Sequence, residues 1–188
     1  MLVPVKAFHS AKGRLAAHFD AATRAALART MAERVLQAAA PLPVAVVCDD
    51  PEVATWADGL GALVLPEPGI GLNAAVEAGV ERLTADGASE VLVVHGDLPL
   101  ARGLAQLAGF DGVTLVPDRR EDGTNVIVVT PGCGFRFTYG AGSFARHRLQ
   151  ARRLGLPVRV VREPALAWDV DILDDLPAGA LPGIGVLP

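Results

Sequence analysis

Val91-Leu92-Val93-Val94-His95-Gly96-Asp97-Leu98-Pro99 is the stretch on which the reading of the fold turns. Four consecutive apolar residues, three of them β-branched, suit a strand covered on both faces rather than a half-solvated one. The run stops at a histidine, a glycine and an acid, so Asp97 falls just past the carboxyl end of a buried strand. Gly96 lets another group approach the backbone closely there. Open α/β sheets bind their ligands outside the carboxyl ends of their strands.

Upstream of that strand, Leu72, Val76, Val80 and Leu83 recur at helical spacing and predict an amphipathic helix. Before it come an apolar run from Leu63 to Leu65, a short helix opened by Pro51, and a buried strand from Val44 to Val47. Asp20 is placed to cap a helix running toward Gln37, with Leu27, Met31 and Val35 as its buried stripe and Pro41 beyond its end. The chain opens with an apolar run from Leu2 to Val5, which stops at Lys6 and gives way to a polar loop from His9 to Arg14. Downstream we expect a short helix around Leu104 and Leu107 and strands near Val113 to Val116 and Val126 to Val129. A helix after Gly142 and a strand from Val158 to Val161 follow. This β-α repetition, then a mixed order, predicts an α/β architecture with a mostly parallel sheet and helices on both faces. The Pro/Gly-rich tail from Pro177 reads as a loosely held end.

A length of 188 residues and a hydrophobic fraction of 51% fit one well-cored domain spanning 1–188 and exclude a disordered or fibrous chain. The formal net charge of −4 argues against a general nucleic-acid surface. Cys48 and Cys133 are too few for a disulfide framework or a four-cysteine zinc site. No apolar stretch approaches the ~20 residues of a membrane span, and no signal-peptide run follows Lys6, Lys12 and Arg14. The expected location is the cytoplasm, without nucleic-acid or membrane partners; a homodimer is left open.

Several chemistries are missing. Serine occurs only at positions 10, 89 and 143, none within G-x-S-x-G, and no Walker A motif occurs. The histidines at 9, 18, 95 and 147 have no metal-ligand spacing, and His95 and His147 read as structural. Gly69-Ile70-Gly71-Leu72-Asn73-Ala74 satisfies G-x-G-x-x-A, but Pro66-Glu67-Pro68 intervenes after the preceding apolar run. A dinucleotide fingerprint needs a tight strand-to-helix turn, so these glycines read as a loop that approaches a ligand.

Other groups fit phosphate chemistry. Both lysines of the chain, Lys6 and Lys12, stand in the first loop beside Arg14, where several donors could neutralise a triphosphate; a plain solvated loop is the competing reading. Asp169 and Asp171, two apart in an extended segment, would share a side and could join Asp97 around Mg²⁺ or Mn²⁺; alternatively they cap the following turn. Asp122-Gly123-Thr124-Asn125 precedes a strand, and Gly140-Ala141-Gly142-Ser143 opens a helix, an arrangement suited to an anion or to ordinary N-capping.

Taken in order, Val3-Pro4-Val5-Lys6, Ala11-Lys12-Gly13-Arg14-Leu15, Gly96-Asp97-Leu98-Pro99, Pro117-Asp118-Arg119 with Gly123-Thr124-Asn125, Tyr139-Gly140 with Gly142-Ser143-Phe144 and His147, and Asp169-Val170-Asp171 cover nearly the whole chain. This set resembles the phosphoenolpyruvate or 2-phospho-L-lactate guanylyltransferases of coenzyme F-420 biosynthesis. The resemblance implies a three-layer, Rossmann-like nucleotidyltransferase fold with a mixed, mostly parallel sheet, shared with molybdenum-cofactor guanylyltransferases. It implies that Asp97, Asp169 and Asp171 hold Mg²⁺ (or Mn²⁺), and that Thr124, Gly140 and Ser143 hold a phosphorylated three-carbon acid. Lys6, Lys12 and Arg14 would face the phosphates of the co-substrate GTP, and Asn73 its nucleoside, with Asp97, Lys6 and Lys12 the catalytic set. The first loop lacks the glycine-rich run usual in the wider class. Ala, Arg and Gly richness hints at a GC-rich genome of actinobacterial type, for which the resemblance implies phosphoenolpyruvate over 2-phospho-L-lactate or 3-phosphoglycerate. A sugar-phosphate or molybdopterin nucleotidyltransferase and a non-catalytic nucleotide-binding domain are the alternatives.

Overall fold

The computed structural model describes residues 1–67, 69 and 71–176; the tail from Pro177, and Pro68 and Ile70 of the glycine-bearing loop, lie outside the described residues. Strands and helices alternate as β1 (Leu2–Pro4), α1 (Ala21–Gln37), β2 (Ala45–Cys48), α2 (Pro51–Gly59), β3 (Leu63–Pro66), α3 (Leu72–Ala85) and β4 (Val91–Val94). The order then becomes mixed, with β5 (Val113–Pro117), β6 (Thr124–Val129), α4 (Ser143–Arg153), β7 (Val158–Val160) and the single turn α5 (Pro164–Ala167).

Two aspartates start the first helices. The Asp20 carboxylate accepts from the Thr23 N–H at 2.7 Å, fixing the start of α1 where the sequence placed it. Asp50 accepts from the Glu52 and Val53 N–H groups ahead of α2, with Pro51 in the first turn, where its missing N–H costs nothing.

Among the described residues seven strands form one sheet in the order β3-β2-β1-β4-β6-β5-β7. β6 lies antiparallel to both β4 and β5, and every other pairing is parallel. Alternate strand residues serve opposite cores, as the two-residue period of a strand requires. Leu92 and Val94 join Val3 and Val46 beneath α1 and α2, while Val91 and Val93 join Leu2 and Ala45 beneath α3 and α4. This produces the expected three layers and explains why β4 reads as an unbroken apolar run. Leu27 and Met31 of α1 are wholly buried, each such burial contributing roughly 1.5–3 kcal/mol.

β1 is followed in space by β2 on one side and β4 on the other, so the chain switches direction across the sheet at the β1–β4 pair. A crevice forms outside the carboxyl ends of such strands. β6 begins at Thr124, two residues before the apolar run that predicted it, because Thr124 and Asn125 are polar yet 2% and 3% exposed. The helix expected around Leu104 is a 3-10 turn, and α5 had no signal in the sequence. Both cysteines are free, and no helix among the described residues is long and apolar enough to cross a membrane.

Candidate active site

A cavity of about 480 Å³ opens at the switch point, walled by residues that follow β1, β2 and β4. Lys6, Lys12 and Arg14 come from the first loop, Asp49 follows β2, and His95 and Asp97 follow β4. Gly71 and Leu72 at the start of α3 close another side.

Lys12 organises this cavity. Its backbone is left-handed, at φ 53° and ψ 42°, an unusual and costly state for a residue with a Cβ. That turn drives the side chain inward, where it is only 10% exposed. The ammonium donates to Asp97 Oδ2 at 2.8 Å and to the Val170 carbonyl, and lies 3.7 Å from Asp171 Oδ1. Arg14, largely exposed, donates to the other Asp171 oxygen at 2.8 Å. Burial opposes ionisation of the Asp97 carboxyl, but the Lys12 ammonium and its hydrogen bond outweigh that cost and hold the group below the usual carboxylate range. Lys6 stands exposed on the wall and makes no ion pair among the described residues.

The 168–175 segment is pinned by a residue that sequence reasoning passed over. Asp175, 3% exposed at its side chain, accepts from the Asp171 and Ile172 N–H groups and pairs with Arg119, whose guanidinium lies 3.9 Å from the centre of the Trp168 ring. The capping role considered for Asp169 and Asp171 therefore belongs to Asp175; Asp171 lines the cavity and Asp169 does not. The Val170 N–H also bonds the Asp97 carbonyl at 3.3 Å. Burial raises the Asp169 carboxyl above its ordinary value, and the negative charge of Asp97 adds to that.

Thr124 and Ser143 are 2% and 1% exposed and, like Gly140, do not line the cavity. Their hydroxyls are 3.3 Å apart, and Thr124 Oγ1 lies 3.0 Å from His147 Nδ1. Because the Thr138 N–H donates to His147 Nε2 at 2.9 Å, that nitrogen is an acceptor. The ring proton therefore sits on Nδ1 and points at Thr124. Burial first, then the charge of Arg146, pushes the His147 pKa down to about 4, so this arrangement persists as the neutral imidazole. His147, read as partnerless in the sequence, has two partners. Gly140 sits in the exposed arc before α4, whose Thr138 and Ala141 carbonyls are both bound by Arg146. Gly142, at φ 70°, leaves room for that guanidinium, which would lie 3.2 Å from an added Cβ. Asn73 does not line the cavity; its Oδ1 accepts from the Tyr139 N–H at 2.8 Å and ties α3 to this arc.

Among the described residues no three acidic, histidine or cysteine groups stand close enough to hold a metal ion, and the cation between Asp97 and Asp171 is Lys12. The donor set nevertheless fits a hard divalent ion. Asp97 Oδ1 is buried without a hydrogen-bond partner, and carboxylate oxygens are the ligands such an ion takes.

The three-layer α/β fold is shared by solved structures of nucleotidyltransferases. A putative nucleotide-diphospho-sugar transferase from Desulfovibrio desulfuricans G20 superposes with a TM-score of 0.72 at 20% identity, covering 91% of this chain and 81% of that one. A nucleotidyl transferase from Methanothermobacter does so at 0.61 and 17% identity, covering 93% and 94%. The sequence narrows the class: the family described as "Guanylyl transferase CofC like" matches residues 1–185, and the chain belongs to it. Relatives named phosphoenolpyruvate guanylyltransferase occur in Sphaerobacter thermophilus, 38% identical with 93% of this chain and 89% of the relative covered, and in Rubrobacter xylanophilus, 39% identical with 93% and 90% covered.

Proposed function

We propose that this guanylyltransferase, one domain over 1–188, moves GMP from GTP onto the phosphate of a small phosphorylated acid in coenzyme F-420 biosynthesis in the cytoplasm. Phosphoenolpyruvate, the acid in the names of the relatives, is the first choice of acceptor, and 2-phospho-L-lactate the second. The observation that carries the reading is the Lys12 ammonium lodged between Asp97 and Asp171 at the mouth of the switch-point cavity.

An acceptor phosphate oxygen attacks the α-phosphorus of GTP, the bond to the β-phosphate oxygen breaks, and pyrophosphate leaves. The nucleophile is already an anion, so no general base is needed, in keeping with a site whose histidines are held neutral. The barrier then lies in bringing together two anions and stabilising charge on the leaving group. Lys6 is free to meet the triphosphate, and Lys12 and Arg14 exchange carboxylate partners for phosphate oxygens. Asp97 and Asp169, with Asp171, would hold Mg²⁺ (or Mn²⁺), which when bound neutralises phosphate charge. The arc of Gly140, with the Thr124 and Ser143 hydroxyls behind it, forms the acceptor's seat, and Asn73, expected to face the nucleoside, holds that arc through the Tyr139 N–H.

Pyrophosphate release tests the reading. It should require GTP, a divalent ion and one of phosphoenolpyruvate, 2-phospho-L-lactate or 3-phosphoglycerate, should be weaker with ATP or CTP, and should vanish in Asp97→Ala with the fold retained. Release by that variant at the wild-type rate would remove Asp97 from the mechanism, and silence with all three acids would turn attention to a sugar phosphate.

A further inference from the structure

Buried polar atoms without partners cost free energy and call for an explanation. Among the described residues four side-chain atoms are in this state, and three of them, His95 Nε2, Asp97 Oδ1 and Tyr139 Oη, belong to one neighbourhood. His95 and Asp97 are two residues apart on the cavity wall, and the Tyr139 ring lies 4.7 Å from the His95 ring, centre to centre. Asp97 Oδ1 has an explanation in the divalent ion. The other two do not, because hydroxyls and imidazoles elsewhere in the site, those of Thr124, Ser143 and His147, satisfy one another.

Tyr139 is held in this position from several directions. Its N–H is fixed by Asn73, and its ring lies edge-on to His147, with ring centres 5.3 Å apart. Only 8% of the residue is exposed, so bulk water does not satisfy its hydroxyl. A phenylalanine would fill the same space at no desolvation cost. The two rings therefore stand between the carboxylate centre at Asp97 and the Thr124–Ser143–His147 network, each with an unused polar atom.

We infer that His95 and Tyr139 are direct contacts for the acceptor, their Nε2 and Oη atoms hydrogen bonding to anionic oxygens of the phosphorylated acid on the side of the site away from the nucleotide. This rests on the proposed guanylyl transfer to such an acid. It adds to that reading a pair of residues that bind the acceptor and leave GTP untouched.

Tyr139→Phe deletes one atom and keeps the ring, and His95→Leu deletes the polar edge, while His95→Gln restores an amide near Nε2. With saturating GTP and Mg²⁺, the expected result is a KM for phosphoenolpyruvate raised about 10-fold or more in Tyr139→Phe and His95→Leu, with partial recovery in His95→Gln. GTP affinity, measured by calorimetry without acceptor, should be unchanged. Removing an unsatisfied hydroxyl should also raise the melting temperature of ligand-free Tyr139→Phe by about 2–4 °C. Wild-type turnover with the acceptor KM unchanged in both deletion variants would overturn this inference alone, leaving an ordered water as the partner of both atoms. Weakened GTP binding would overturn it by moving the pair to the nucleotide. Wild-type silence with every acid would overturn the guanylyl-transfer reading and this inference with it.

Discussion

Lys12 carries a structural and a chemical duty on one side chain. In the ligand-free protein its ammonium balances the Asp97 carboxylate, while its own backbone is held left-handed. Lys12→Met keeps the stem and removes the charge, leaving the half-buried Asp97 without its partner. Loss of such a charged hydrogen bond costs about 1–3 kcal/mol. The urea midpoint should fall accordingly, and turnover by at least about 100-fold, the scale of removing one preorganised charge-stabilising donor; an unchanged midpoint would show that Asp97 does not depend on Lys12. His147 gives a pH signature. Its folded pKa of about 4 lies below the ordinary 6.5, so between these values the unfolded chain binds more protons. Its contribution is fully present above pH 6.5 and is lost as pH falls toward 4, by about 3 kcal/mol in all. Urea titrations at pH 7 and 4.5 should show this loss in the wild type and a smaller one in His147→Gln; equal losses in the two proteins would mean that the ring is protonated in the fold.

At the scale of elements, the β5–β7 seam is a close fit. Gly112, at φ 153° just before β5, leaves so little room that a Cβ would lie 2.4 Å from the Pro157 carbonyl oxygen ahead of β7. Neither backbone can give way without breaking the seam, where the Val113 N–H also donates to that oxygen at 2.8 Å. Gly112→Ala should destabilise the fold by about 3 kcal/mol, read as a lower thermal midpoint. A neutral substitution would mean that this edge is loosely held. Most strands and the longer helices were legible from the sequence, because a strand buried on both faces reads as one apolar run and α1 and α3 show their stripes. The reversal of β6 was not, since an apolar run such as Val126–Val129 carries no direction. Asp97, Lys12 and Arg14 could be picked out by residue type, but not their partnership with a segment some 158 residues from Lys12, which only the fold creates. Asp175 escaped notice because a buried brace of a turn has the same one-letter appearance as a surface acid.

For the whole molecule, the cavity at the switch point is walled by loops that follow β1, β2 and β4, and the proposed function puts the nucleotide there. A ligand that binds only the folded state stabilises it by mass action, by about 2.7 kcal/mol at a hundred times its dissociation constant. GTP with Mg²⁺ should therefore raise the melting temperature by about 5–10 °C at that concentration, and a chelator should cancel most of the gain. Equal stabilisation by GTP with and without metal would detach the carboxylates from nucleotide binding. The central claim is that the α-phosphorus of GTP becomes joined to the phosphate of the acid, and phosphorus NMR of the reaction with phosphoenolpyruvate observes that bond directly. The account predicts two coupled diphosphate resonances, one from each reactant, appearing together with pyrophosphate. GDP and inorganic phosphate in their place, with phosphoenolpyruvate unchanged, would contradict it.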